Sequence, residues 1–208
     1  MTTESAKTKR LGVRLFNLPN QLTTLRLFLS IILFGFLVCG FYMTSFVLFV
    51  IAAGTDWLDG YYARKYSMVT TLGRILDPFA DKVIICGTFM FLAVDPGMAE
   101  VKIGSFKVGL QMWMVVVVVA RELLVTTIRS FIEERGGDFS AKWSGKIKMV
   151  LQCIAAGACI FYLTYDGHPH NAPTWVIVTL VGFVWAAVVS TIYSGAVYVV
   201  AAIKQLQE

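Results

Sequence analysis

Charge is scarce in this chain. Asp, Glu, Lys and Arg make up 15% of its 208 residues, while apolar residues make up 57%. Soluble domains carry about 25% charged and about 45–50% apolar residues. Lipid is therefore the expected main solvent. A soluble protein with a large core would need helices that show a polar face, and most of the long apolar runs have none. Histidine is nearly absent: His168 and His170 share one polar stretch and have no ligand partner, so that stretch reads as a solvated loop. Cys39, Cys86, Cys153 and Cys159 all sit in apolar runs without metal-ligand spacing, which makes them packing residues. The first apolar run lacks a short hydrophobic region followed by a cleavage site, so no removable signal segment is expected. Internal repeats and low-complexity segments are also missing.

What the chain has is apolar length. Six membrane spans are predicted near Leu22–Cys39, Tyr42–Ala63, Leu72–Val94, Val108–Phe131, Ile147–Tyr165 and Thr174–Ile203. Each approaches the roughly 20 residues that cross a hydrocarbon core as a helix. Gly40, Asp95-Pro96-Gly97, Gly136-Gly137 and the Asp166–Pro173 stretch divide them. The fold class is all-α, a polytopic membrane protein. Residues 1–10 form a basic tail, and 11–208 form a single membrane domain that opens with a short interfacial helix over Leu11–Pro19.

The net charge of +5 is small, but it is unevenly placed, and no nucleic-acid partner is expected. Lys7, Lys9, Arg10, Arg14, Arg64, Lys65, Arg74, Arg135, Lys142, Lys146, Lys148 and Lys204 all fall on one side of a six-span chain. The other side has only Lys102 and Lys107. The positive-inside rule puts both termini in the cytoplasm and the protein in the inner (cytoplasmic) membrane.

Against this background four acids stand out. Asp56 and Asp59 lie near the end of the second span, and Asp77 and Asp81 near the start of the third. An Asp at the centre of a membrane helix costs about 2.5–3.5 kcal/mol. Spacings of three and four put each pair on one helix face. A short turn near Lys65–Thr71 makes the two helices antiparallel neighbours, so the four carboxylates can converge. A cation would relieve their repulsion. Four hard oxygen donors without His or Cys suit Mg²⁺ or Mn²⁺. Salt bridges to basic residues, or a cation path in a divalent-cation transporter, would also use these acids. Clustering at one membrane face beside cationic residues favours a site for a phosphorylated substrate.

Small residues accompany the acids. Gly60 and Ala63 leave room for a flat group beside the helix, although close helix packing explains them equally well. Arg64 can grip phosphate with two N–H groups or simply reach to the interface.

The complete pattern is Asp56-x2-Asp59-Gly60-x2-Ala63-Arg64-x8-Gly73-x3-Asp77-x3-Asp81. It resembles the signature of the CDP-alcohol phosphotransferase family. The segment Asn17–Arg26, the run Leu76–Lys82, Arg121-Glu122, Arg129 and Gly145–Gln152 are similar to the bacterial phosphatidylglycerophosphate synthase branch, with departures at Leu72 and Met149. The resemblance implies a CDP-diacylglycerol donor, a glycerol 3-phosphate acceptor, and phosphatidylglycerol phosphate and CMP as products. It also implies six transmembrane helices, a homodimer and two divalent metal ions at the cytoplasmic face. On that basis Asp56, Asp59, Asp77 and Asp81 are the metal ligands, and Asp81 is also the general base. Asn20, Thr23, Gly60, Ala63, Arg64 and Gly73 serve the donor. Arg121, Arg129, Lys146 and Lys148 are the candidates for the acceptor phosphate. Phosphatidylglycerol, inositol phosphate or serine as acceptor would use the same chemistry.

Overall fold

The computed structural model describes residues 18–66, 71–99, 101–103, 106–134, 143–165 and 172–207. For residues 18–22, 56–66, 71–78, 103, 106, 133–134, 143–144, 146 and 205–207, only the backbone course is described. The predicted interfacial helix and the two histidines lie outside the described residues. The architecture is helical. Its long helices are α1 (Leu18–Val38), α2 (Tyr42–Tyr66), α3 (Thr71–Val94), α5 (Met112–Glu134), α6 (Trp143–Leu163) and α7 (Thr174–Gln207). Between α3 and α5 come a four-residue helix, α4 (Pro96–Ala99), and a small antiparallel pair, β1 (Lys102–Ile103) and β2 (Phe106–Lys107).

The chain divides into two compact units, Met1–Gly87 and Thr88–Glu208. In the first, α1 packs on α2, and the turn between them is set by Gly40. Its φ of 78° is a left-handed conformation that costs a side-chain-bearing residue about 1–2 kcal/mol. The Gly40 N–H donates to Leu37 O over 3.2 Å, and the Phe41 N–H donates to Phe36 O over 3.0 Å. The Phe36 and Phe41 rings meet edge to face at 5.9 Å. This is a Schellman ending with its usual apolar clasp. The α3 helix approaches α1 closely at Gly87, where an added Cβ would strike the Phe34 ring.

In the second unit α7 packs on both α5 and α6, and α4 rests on α6. Asp95 caps α4 by accepting the Gly97 N–H over 2.8 Å, with Pro96 in the first helical position. The fourth span was expected to begin at Val108, but the helix begins at Met112. Val108 instead extends the strand pair, donating to Val101 O over 2.9 Å. Gly109 then brings the backbone against Met98 O, where no side chain fits.

The core is mostly apolar, but polar side chains are buried within it and apolar ones cover much of the exterior. Arg26, Ser30, Ser45, Thr88, Lys148, Gln152, Thr191 and Ser194 are buried. Ile31, Val38, Leu123, Trp175, Val189 and Tyr193 are all more than 60% exposed or at 60%. An apolar exterior this extensive is unfavourable in water. Among the described residues, Thr174–Lys204 is long and apolar enough to cross a membrane, and Thr23–Val38, Tyr42–Thr55 and Ile147–Leu163 are shorter apolar stretches.

Candidate active site

The signature residues fall on helical backbone. α2 continues unbroken through Tyr66, so it carries Asp56, Asp59, Gly60, Ala63 and Arg64. α3 carries Gly73, Asp77 and Asp81. The turn that joins these helices lies outside the described residues, as do the side chains of all these positions except Asp81. Among the described residues no group of three metal-ligating side chains is found. Asn20 lies in the first turn of α1, and Thr23, one turn on, is buried.

Asp81 has a specific partner. Arg26 Nη1 donates to Asp81 Oδ1 over 2.9 Å. Arg26 is 3% exposed and the Asp81 side chain 28%. Such a charge-assisted bond fixes the carboxylate's direction as well as offsetting its charge. Arg26 was not assigned a role from the sequence. Its signal was present, because it is the single charged residue of α1, and ionisable groups in apolar helices are costly enough to imply a purpose.

The second unit gathers the predicted acceptor residues. Arg121 Nη1 donates to Glu122 Oε1 over 3.1 Å. Lys148 of α6 donates to the same oxygen. Arg121 Nη2 donates to Ser194 Oγ of α7 over 2.5 Å. Two turns further along α5, Arg129 Nη2 donates to the Tyr198 hydroxyl over 3.3 Å. Gln152 Nε2 donates to Thr191 Oγ1 over 3.1 Å, which ties α6 to α7 beside the cluster. The side chains of Arg121, Glu122 and Lys148 are 10%, 12% and 5% exposed. Arg121 is therefore paired with its neighbour Glu122. That leaves Arg121 and Lys148 sharing one carboxylate, with Arg129 on Tyr198. Lys146 occupies the first turn of α6, and its side chain lies outside the described residues. Glu122 as the shared partner, and Ser194 and Tyr198 as contributors from α7, were not foreseen. Glu122 could have been found as an acid in an apolar helix. The other two look like ordinary α7 residues.

The four acids supply only carboxylate oxygens, a donor set that fits Mg²⁺ or Mn²⁺ and not a softer ion. The family model for CDP-alcohol phosphatidyltransferases matches residues 16–193. The chain belongs to this family. Its signature acids, Arg26 and most of the cation cluster fall inside the match. A CDP-diacylglycerol–glycerol-3-phosphate 3-phosphatidyltransferase of Bacillus subtilis is 33% identical over 202 residues, 87% of this chain and 92% of the relative. A probable phosphatidylglycerophosphate synthase of Mycobacterium tuberculosis is 32% identical over 93% of this chain and 85% of its own length. A Yersinia enterocolitica relative, named like the Bacillus protein, is 28% identical over 92% of this chain and 98% of its own.

Proposed function

We propose that this CDP-alcohol phosphatidyltransferase moves a phosphatidyl group from CDP-diacylglycerol to glycerol 3-phosphate, releasing phosphatidylglycerol phosphate and CMP. The observation that carries the reading is the complete spaced signature on α2 and α3 within a family match that runs nearly the length of the chain. The names of the relatives supply the substrates. The cation cluster of the second unit suits an acceptor with its own phosphate better than it suits serine.

Asp56, Asp59, Asp77 and Asp81 would hold two divalent ions, Mg²⁺ or Mn²⁺. When bound, these ions offset the charge of the donor pyrophosphate and of the departing CMP. The protein does the rest. Gly60, Ala63 and Gly73 leave room for the nucleotide, Arg64 takes a phosphate oxygen, and Asn20 and Thr23 add polar contacts. Arg121, Arg129, Lys146 and Lys148 hold the acceptor phosphate. Arg26 directs the Asp81 carboxylate. Asp81 then removes the proton from the acceptor 1-hydroxyl as its oxygen attacks the phosphorus that bears diacylglycerol. The bond from that phosphorus to the CMP oxygen breaks. Positioning supplies most of the acceleration.

The six long helices are read as six spans, with both termini and the site on the cytoplasmic side of the inner membrane. The positive-inside distribution and the apolar exterior support this. One family match spanning both compact units supports a single domain from residue 11 onward. The family resemblance adds a homodimer. The test is direct: purified protein is given CDP-diacylglycerol and a panel of alcohols, and CMP release is measured. Glycerol 3-phosphate should give the fastest release. Faster release with phosphatidylglycerol, inositol phosphate or serine would reassign the acceptor.

A further inference from the structure

The last helix carries a side chain that the transferase reading leaves unused and that lies beyond the family match, which ends at residue 193. Tyr198 of α7 is 1% exposed. It is buried with Val125, Ile132 and Ala202, so its ring is fixed between α5 and α7. Both arginines of α5 reach that ring. Arg121 Cζ is 5.5 Å from its centroid, and Arg129 Cζ is 5.8 Å from it. The tyrosine hydroxyl accepts from Arg129 Nη2. A Cβ on Gly145 of α6 would lie 3.2 Å from the same hydroxyl, so three helices close on this point.

Two guanidinium groups brought to one ring repel each other. The electron-rich ring face attracts both of them. It does so without cancelling their charge, as a second carboxylate would. The arrangement therefore preserves positive charge while fixing where it sits. Arg121 is nine-tenths buried, and the Nε atoms of both arginines are buried with no hydrogen-bond partner among the described residues. Buried donors in that condition call for an acceptor.

We propose that Tyr198 is a positioning residue: it holds Arg121 and Arg129 in register to receive the phosphate of the acceptor alcohol. This rests on the transferase reading above. The test compares the full-length protein with Tyr198→Phe and Tyr198→Leu in steady-state CMP release, varying glycerol 3-phosphate and CDP-diacylglycerol separately. Tyr198→Phe, which loses one hydrogen bond to a cation, should raise the acceptor KM about fivefold. Tyr198→Leu, which also loses the ring, should raise it about tenfold or more. The donor KM should stay within about twofold of wild type, since the arginines that the ring meets are those proposed for the acceptor. A merely structural tyrosine would instead affect both KM values alike or lower kcat alone, and either pattern overturns the proposal. Tyr198→Phe keeps the ring and decides the matter if Tyr198→Leu does not purify as folded protein. Active wild-type enzyme whose acceptor KM is unmoved by these changes overturns the role of Tyr198 alone. Wild-type protein that releases no CMP with glycerol 3-phosphate overturns the transferase reading and this proposal together.

Discussion

At the scale of single residues, the Arg26–Asp81 pair makes the sharpest demands. A buried arginine that loses its carboxylate, or a carboxylate that loses its arginine, loses a charge that offsets it. Arg26→Gln should therefore lower kcat by on the order of a hundredfold, because a base displaced by about an ångström loses that much. The donor KM should change little. Arg26→Lys keeps the charge but not the fork geometry, so it should fall between the two. Equal kcat for wild type and Arg26→Gln would show that the pair has no part in catalysis. Asp81→Asn removes the proposed base, and its kcat should fall by about 10²–10⁴-fold. Near-normal turnover by this variant would assign proton removal to another group. The four acids stand out in the sequence because their cost in an apolar chain is large and their spacing matches the family signature. The partner of Asp81 was not, because the pair joins residues 55 positions apart and no local pattern encodes it.

At the scale of elements, the turn after α1 was readable from Gly40 alone, and the structure adds the reason. The left-handed φ and the Phe36–Phe41 clasp both depend on that position. Gly40→Ala should cost about 1–2 kcal/mol, seen as a lower Tm in detergent. Gly35→Ala is the control. A Cβ there meets nothing within 4 Å, and alanine in a helix interior is favoured over glycine by about 1 kcal/mol. Its Tm should hold or rise. The start of α5 was misplaced for a physical reason. Val108-Gly109-Leu110 continues the apolar run without a break, so hydropathy cannot separate strand pair from helix. The separation comes from Lys102 facing Lys107 and from Gly109 against Met98 O, both of which depend on backbone pairing. Glu122 illustrates a related limit. Its neighbour Arg121 was an obvious partner, while Lys148 reaches it from a different helix.

At the scale of the whole molecule, buried polar groups and exposed apolar ones predict a protein that stays with the membrane under alkaline carbonate extraction. They also predict sidedness. In a cysteine-free background, Lys107→Cys should react with an impermeant thiol reagent from outside spheroplasts, and a cysteine in place of Lys204 should react only after permeabilisation. The reverse pattern would invert the orientation and put the site on the wrong side for a cytoplasmic nucleotide. The all-α class was legible because the apolar runs are long enough for helices and too long for strands. Convergence of the cation cluster was not, because it needs α5, α6 and α7 to be packed together. The proposed function depends on the four aspartates and on the divalent ions they would hold. The most direct measurement is CMP release from CDP-diacylglycerol by the purified protein, with and without glycerol 3-phosphate, before and after exhaustive chelation. Metal-dependent transfer predicts release that requires glycerol 3-phosphate, stops on chelation and returns with Mg²⁺ or Mn²⁺. Release that persists undiminished after chelation would contradict it.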